Sequence, residues 1–92
     1  MHYRNGREAA NGDHIVQLGS VYNANDPKAP KTVITAIGIL FNATPGNDYC
    51  NGSIAPTLGG AVQGACMCDC LHVDDLSAIL AEKGLDKRPA GK

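Results

Sequence analysis

Short apolar runs separated by turn-forming residues fill most of the chain, and apolar positions fall at helical spacing only near the C-terminal end. Alternation with a period of two, broken by Gly, Asn, Asp and Pro, predicts a mainly β protein with one short C-terminal helix. Asn5-Gly6, flanked by Tyr3-Arg4 and Arg7-Glu8, predicts an opening hairpin, because both central residues of a type I′ turn take positive φ. Asn11-Gly12-Asp13 predicts a second turn. It launches a strand over His14-Ile15-Val16-Gln17-Leu18, with Val16 and Leu18 on one face and Ile15 and Gln17 on the other. From Gly19 to Lys31 the chain carries Asn23, Asn25, Asp26, Pro27 and Pro30, which reads as a long polar loop exposed for contacts.

The strongest strand signal runs from Thr32 to Phe41, and both of its faces are apolar: Val33, Ile37, Ile39 and Phe41 on one, Ile34, Ala36 and Leu40 on the other. A small sheet wets one face, so the second stripe is expected to lie under the C-terminal helix or another subunit. The segment 42–52 is rich in turn formers and reads as a loop; Ser53 to Leu58 reads as a short strand that Pro56 confines to an edge or a bulge. Gly59-Gly60 then turns the chain toward a cysteine-bearing strand. Asp74 is expected to cap a helix over 75–83, with Leu76, Ile79 and Leu80 as its apolar stripe and Gly84 as its stop. Residues 1–84 form one domain and 85–92 a polar tail.

Composition narrows the function classes. Ninety-two residues make a single domain that buries roughly 60–65% of its unfolded surface, so oligomerisation would add useful burial. Eight Lys and Arg against nine Asp and Glu give a net charge of −1, which argues against gripping a phosphate backbone. No apolar run serves as a signal sequence or reaches the length of a membrane helix, so a soluble cytoplasmic protein with no membrane partner is expected. Its four cysteines are then thiols or ligands, and residues two apart on a strand are poorly placed to bridge each other. The sequons at Asn42 and Asn51 carry no weight in that compartment.

The candidate chemistry concentrates in Cys66, Cys68, Cys70 and His72, which alternate strictly and would share one face of a strand. They are either a soft-metal or thiol site or an inward row in which cysteine is a compact apolar filler. With Cys50 they offer enough soft ligands for tetrahedral zinc, the one cofactor the residues suggest. Against zinc, side chains at i and i+2 of a straight strand stand roughly 6–7 Å apart and point parallel. A cysteine nucleophile would need His72 or His14 as base and Asp69, Asp74 or Asp75 as orienter. The acidic surroundings and the shared strand oppose this, so no catalysis is expected. A binding role is favoured instead: Arg4, Arg7, Thr44, Asn47, Asp48, Tyr49 and Asn51 could surround a small nucleotide-like ligand by stacking and charge. An adaptor using an apolar face at Ile34 and Leu40 is the competing reading.

The segment Tyr3-Arg4-Asn5-Gly6-Arg7-Glu8-Ala9-Ala10-Asn11-Gly12-Asp13-His14-Ile15-Val16, about a sixth of the chain, resembles the start of many small phage-encoded proteins with a Gly-Asp step into their first strand. Those proteins look like Src-homology-3-type β-barrels akin to KOW domains. The resemblance implies a small barrel of phage or prophage origin acting in the host cytoplasm. It further implies a non-catalytic homo-oligomer that sequesters a nucleotide-like host defence signal, or that binds a host protein. KOW-like modules that grip nucleic acid show a basic, aromatic-bearing face. Here Tyr3, Tyr22, Tyr49 and Phe41 accompany a slightly acidic balance, so nucleic acid is not an expected partner.

Overall fold

The computed structural model describes residues 1–23, 25–44 and 50–90. Its elements are β1 (His14–Asn23), β2 (Asp26–Phe41), β3 (Asn51–Pro56), β4 (Gln63–Cys66), a 3₁₀ turn (Met67–Asp69), β5 (Cys70–His72) and α1 (Val73–Glu82). The strands form one antiparallel sheet in the order β4-β3-β2-β1-β5, so the protein is mainly β with one short C-terminal helix. The two edge strands are joined by the 3₁₀ turn alone. In a flat sheet they would lie roughly 19 Å apart, whereas four residue steps from Cys66 to Cys70 reach at most about 14 Å. The sheet must therefore curl. Since β4 and β5 share no ladder, the expected closed barrel is instead an open, curled sheet. Its concave side holds the core: Tyr3, Ala9, Ile15, Leu40, Ala43, Ile54, Ala65, Met67 and Cys70.

The N-terminal segment packs into that curl. Tyr3 N–H donates to Arg7 O at 2.8 Å and Gly6 N–H to Tyr3 O at 3.0 Å. Gly6 has φ 90° while Asn5 keeps negative φ, so the type I′ turn predicted at Asn5-Gly6 is replaced by a turn centred on Arg4-Asn5 with Gly6 following it. Strand pairing shrinks to the single bridge between His2 and Glu8. The reason lies in Tyr3, whose ring is buried and whose hydroxyl donates to Asp13 Oδ2 at 2.6 Å. Burial and the Asp13 carboxylate push the Tyr3 phenol well above its ordinary range. Ala10 N–H donates to the same Asp13 oxygen at 3.0 Å, so one carboxylate anchors the tyrosine and closes the turn before β1. Tyr3→Phe should destabilise the fold by about 1.5–3 kcal/mol, the usual worth of a hydrogen bond to a charged group. A urea melt checks this, with the midpoint falling and the slope unchanged. Outside the core, Asn5 and Arg7 hold Asp75 at 2.9 and 3.0 Å, keeping its carboxyl below the ordinary range and tying the opening turn to α1.

The long polar loop predicted over Gly19 to Lys31 is instead the far end of a hairpin. Ser20 pairs with Thr32, Val21 with Lys31 and Asn23 with Asp26. Beyond Gln17, β1 is no longer flanked by β5, and before Gly38, β2 is no longer flanked by β3. Among the described residues this makes a two-stranded arm. Pro27 and Pro30 are tolerated in β2 because one side of the strand there has no ladder to break. A bulge separates the arm from the sheet: Gln17 pairs with Ala36 and Leu18 with Ile34, leaving Thr35 as the extra residue, its Oγ1 donating to Gln17 O at 3.3 Å. The bulge takes Ile34 out of the inward stripe of Ala36, Gly38 and Leu40, and Ile34 stays 51% exposed. The helix does not cover the opposite stripe. The helix packs on β5 and β1, and Ile39 remains 40% exposed.

The helix starts earlier than its sequence suggests. His72, not Asp74, is the N-cap, its Nδ1 accepting from Asp74 N–H at 3.0 Å. Gly84 ends it as expected, with φ 70°, donating to Ala81 O at 3.0 Å while Leu85 N–H reaches Leu80 O at 2.8 Å.

Candidate metal centre

The single strand expected to carry Cys66, Cys68, Cys70 and His72 is broken at its middle. Inward positions on β4 and the turn are taken by Ala65 and Met67, and Met67 is fully buried. A large thioether in the core outcompetes the smaller cysteines for the inward face, which turns Cys66 and Cys68 outward. The 3₁₀ turn then shifts the alternation, so that Cys70 points inward again and is fully buried. Met67 N–H also donates to Cys50 O at 2.7 Å, one step past the Asn51–Cys66 pair. The β3–β4 ladder thereby places Cys50 beside Cys66.

The result is a three-sulfur cluster drawn from two chain segments. The Sγ atoms of Cys50, Cys66 and Cys68 all lie within 4.8 Å of one another, and those of Cys66 and Cys68 are 3.0 Å apart. The parallel 6–7 Å spacing expected of a straight strand does not hold, because the turn folds Cys68 back onto Cys66. Hydrogen bonding to Cys50 and Cys68 pushes the Cys66 thiol up to about 12, and the same bond from Cys66 pulls Cys50 below the usual thiol range. Of these two sulfurs, Cys50 is the one on which negative charge is favoured. Arg4 braces the turn from outside, its Nε donating to Cys68 O at 3.1 Å and its Nη2 meeting Asp69 Oδ1 at 3.3 Å.

The other predicted ligands are placed elsewhere. Cys70 Sγ donates to Cys66 O at 3.4 Å, and burial pushes its thiol up to about 11, so it is a core filler. The His72 ring caps α1 through Nδ1, turns Nε2 toward Asp13 Oδ1 at 3.7 Å and meets Tyr3 edge-on at 6.4 Å. The set Cys66, Cys68, Cys70 and His72 is therefore not assembled, and Cys50 joins Cys66 and Cys68 in its place. The signal for this lay in Met67, a large apolar residue in phase opposition to the cysteines. Neither His72 nor His14, whose Nε2 lies 3.2 Å from Thr57 Oγ1, shares a hydrogen bond with a cluster thiol.

The expected ligand-binding residues are only partly brought together. Arg4 pairs with Asp69, and Arg7 with Asp75 at 3.0 Å and Asp74 at 4.0 Å. Thr44 and Asn51 are exposed, Asn51 opening β3 opposite Cys66; Asn47, Asp48 and Tyr49 lie outside the described residues. The apolar face expected from Ile34 and Leu40 does not form, since Leu40 is fully buried. A groove of about 390 Å³ runs instead beside β2 and the β3–β4 connection, lined by Ile34, Ala36, Ile37, Pro56, Leu58 and Gln63 among others. Among the described residues no helix is long and apolar enough to cross a membrane. No family model, curated protein or solved structure matches the chain.

Proposed function

We propose that this chain is a small non-catalytic β module that binds a soft metal ion, zinc by preference, through Cys50, Cys66 and Cys68. The observation that carries this reading is the convergence of three sulfurs from two segments within 4.8 Å. Tetrahedral zinc with bonds of about 2.3 Å sets its sulfurs about 3.8 Å apart. The cluster is close to that value: all three separations lie within 4.8 Å, and the Cys66–Cys68 pair at 3.0 Å would open slightly around an ion. Thiolate donors select zinc or cuprous copper over hard cations. Among the described residues no fourth Cys, His, Asp or Glu joins the three, so these sulfurs supply three of the four positions of a tetrahedral site.

A nucleotide-sequestering role would draw on Arg4 and Arg7, and both guanidinium groups already face carboxylates. The thiol cluster is the better supported site. Native mass spectrometry of the reduced chain titrated with zinc is the test. One ion per chain should be retained at micromolar zinc, with proton release, and cobalt in its place should show thiolate charge-transfer absorption. Bare chains throughout the titration would remove the proposal.

A further inference from the structure

We propose that Cys66 and Cys68 form an exchange-active dithiol that a low-molecular-weight disulfide converts to an intramolecular disulfide, discharging the metal. Only the discharge rests on the metal reading above.

The geometry is specific to this pair. Their sulfurs stand 3.0 Å apart, about 1 Å from bonding distance. Cys68 is exposed and open to an incoming reagent, while Cys66 is partly covered behind it. Cys70 is withdrawn into the core, where it donates to Cys66 O, and so is kept from exchange. In the first step the Cys68 thiolate attacks one sulfur of oxidised glutathione, forming a mixed disulfide and releasing one glutathione thiolate. In the second, Cys66 gives its proton to solvent and attacks the Cys68 sulfur. The Cys66–Cys68 bond forms, the Cys68–glutathione bond breaks, and a second glutathione thiolate leaves. Two protein thiols are oxidised by two electrons, and the small disulfide is reduced to two thiols. The product ring closes through Met67 alone, so it is compact, exposed at Cys68 and open to reversal by reduced glutathione. Closing it removes two of the three metal donors.

Met67 also supplies the test, because cyanogen bromide cleaves after it, between the two cysteines. Chelator-treated, reduced protein is incubated with oxidised glutathione, its whole mass is measured, and it is cleaved without reduction. The expected product is lighter by two hydrogens, and its fragments 2–67 and 68–92 stay joined until a reductant is added. The Cys50→Ser and Cys70→Ser variants should behave identically, whereas Cys66→Ser should stop at the glutathione adduct. Fragments that separate without reductant, as a Cys50–Cys66 bond would give, overturn the assignment, as does a lasting adduct on the unmodified chain. In a parallel arm, zinc-loaded protein is oxidised in the presence of a coloured chelator, which should gain one zinc for each disulfide formed. Zinc retention without disulfide formation sinks the dithiol and leaves the metal site standing. Disulfide formation in a chain that never held zinc supports the dithiol and sinks the metal site.

Discussion

Cys66→Ser is expected to weaken zinc binding about a hundredfold or more, while Cys70→Ser leaves it unchanged. Total binding free energy at thiolate zinc sites is of order 10–16 kcal/mol, so removing one of three donors costs several kcal/mol. Cys66 also bonds the Cys50 and Cys68 thiols, so its loss removes both of those contacts. Serine is nearly the same size, and Cys66 is only partly buried, so the fold should change by less than about 1 kcal/mol. At Cys70 the pattern reverses. A hydroxyl there would sit fully buried against Cys66 O, which the longer thiol now reaches at 3.4 Å, costing about 1–2 kcal/mol of stability and no metal affinity. Isothermal titration with zinc beside urea melts of the two variants checks both halves. Equal loss of zinc binding in both would mean that the cluster does not hold the ion.

Gly38→Ala is expected to be among the most damaging substitutions in the chain, although it adds one methyl group. Gly38 pairs with Pro56 across β2 and β3, and a Cβ on it would run into the backbone carbonyl of Ala55. A side chain can rotate away from such a contact. A carbonyl in a ladder cannot, so β3 must move off β2, costing about 3 kcal/mol at the upper end of ordinary overpacking. For a domain of this size, with total stability of about 5–14 kcal/mol, that is a large fraction. The effect should reach the thiols, because β3 carries the ladder that places Cys50 beside Cys66. A chemical melt should show a lower midpoint, and zinc titration a weaker site. Undiminished stability would show that β3 does not need its close seat on β2.

The strand class, the C-terminal helix and its Gly84 stop were legible because each rests on local chemistry: alternation in Thr32 to Phe41, an apolar stripe at helical spacing, and a residue free to take positive φ. The arm was hidden because Pro and Asn mark loops on average, and nothing local reveals that one side of β2 is unpaired at Pro30. The bulge at Thr35 was equally silent, since Ile34 continues the apolar alternation in sequence and leaves it only in register. At the site, the cysteine group drew attention for the right residue type and the wrong geometry. Strict i, i+2 spacing implies a straight strand; the preference of Met67 for the core bends it, and that preference becomes visible only once the core has a side. Cys50 could be placed beside Cys66 only by strand pairing, which single-chain spacing does not encode.

The short link from β4 to β5 also orders the cost of assembly. Pairing β5 with β1 joins residues far apart in the chain, such as Ile15 and His72, whereas Cys50 and Cys66 meet across a single hairpin. Loop-closure entropy rises with the logarithm of length, so the hairpin closes for about 1 kcal/mol less than the long circuit. Cys50 and Cys66 therefore meet in the segment that loses the least chain freedom on closing. Local fraying of the long closure would leave that pair together, while Cys68 stays with it only as long as Met67 holds the turn in the core.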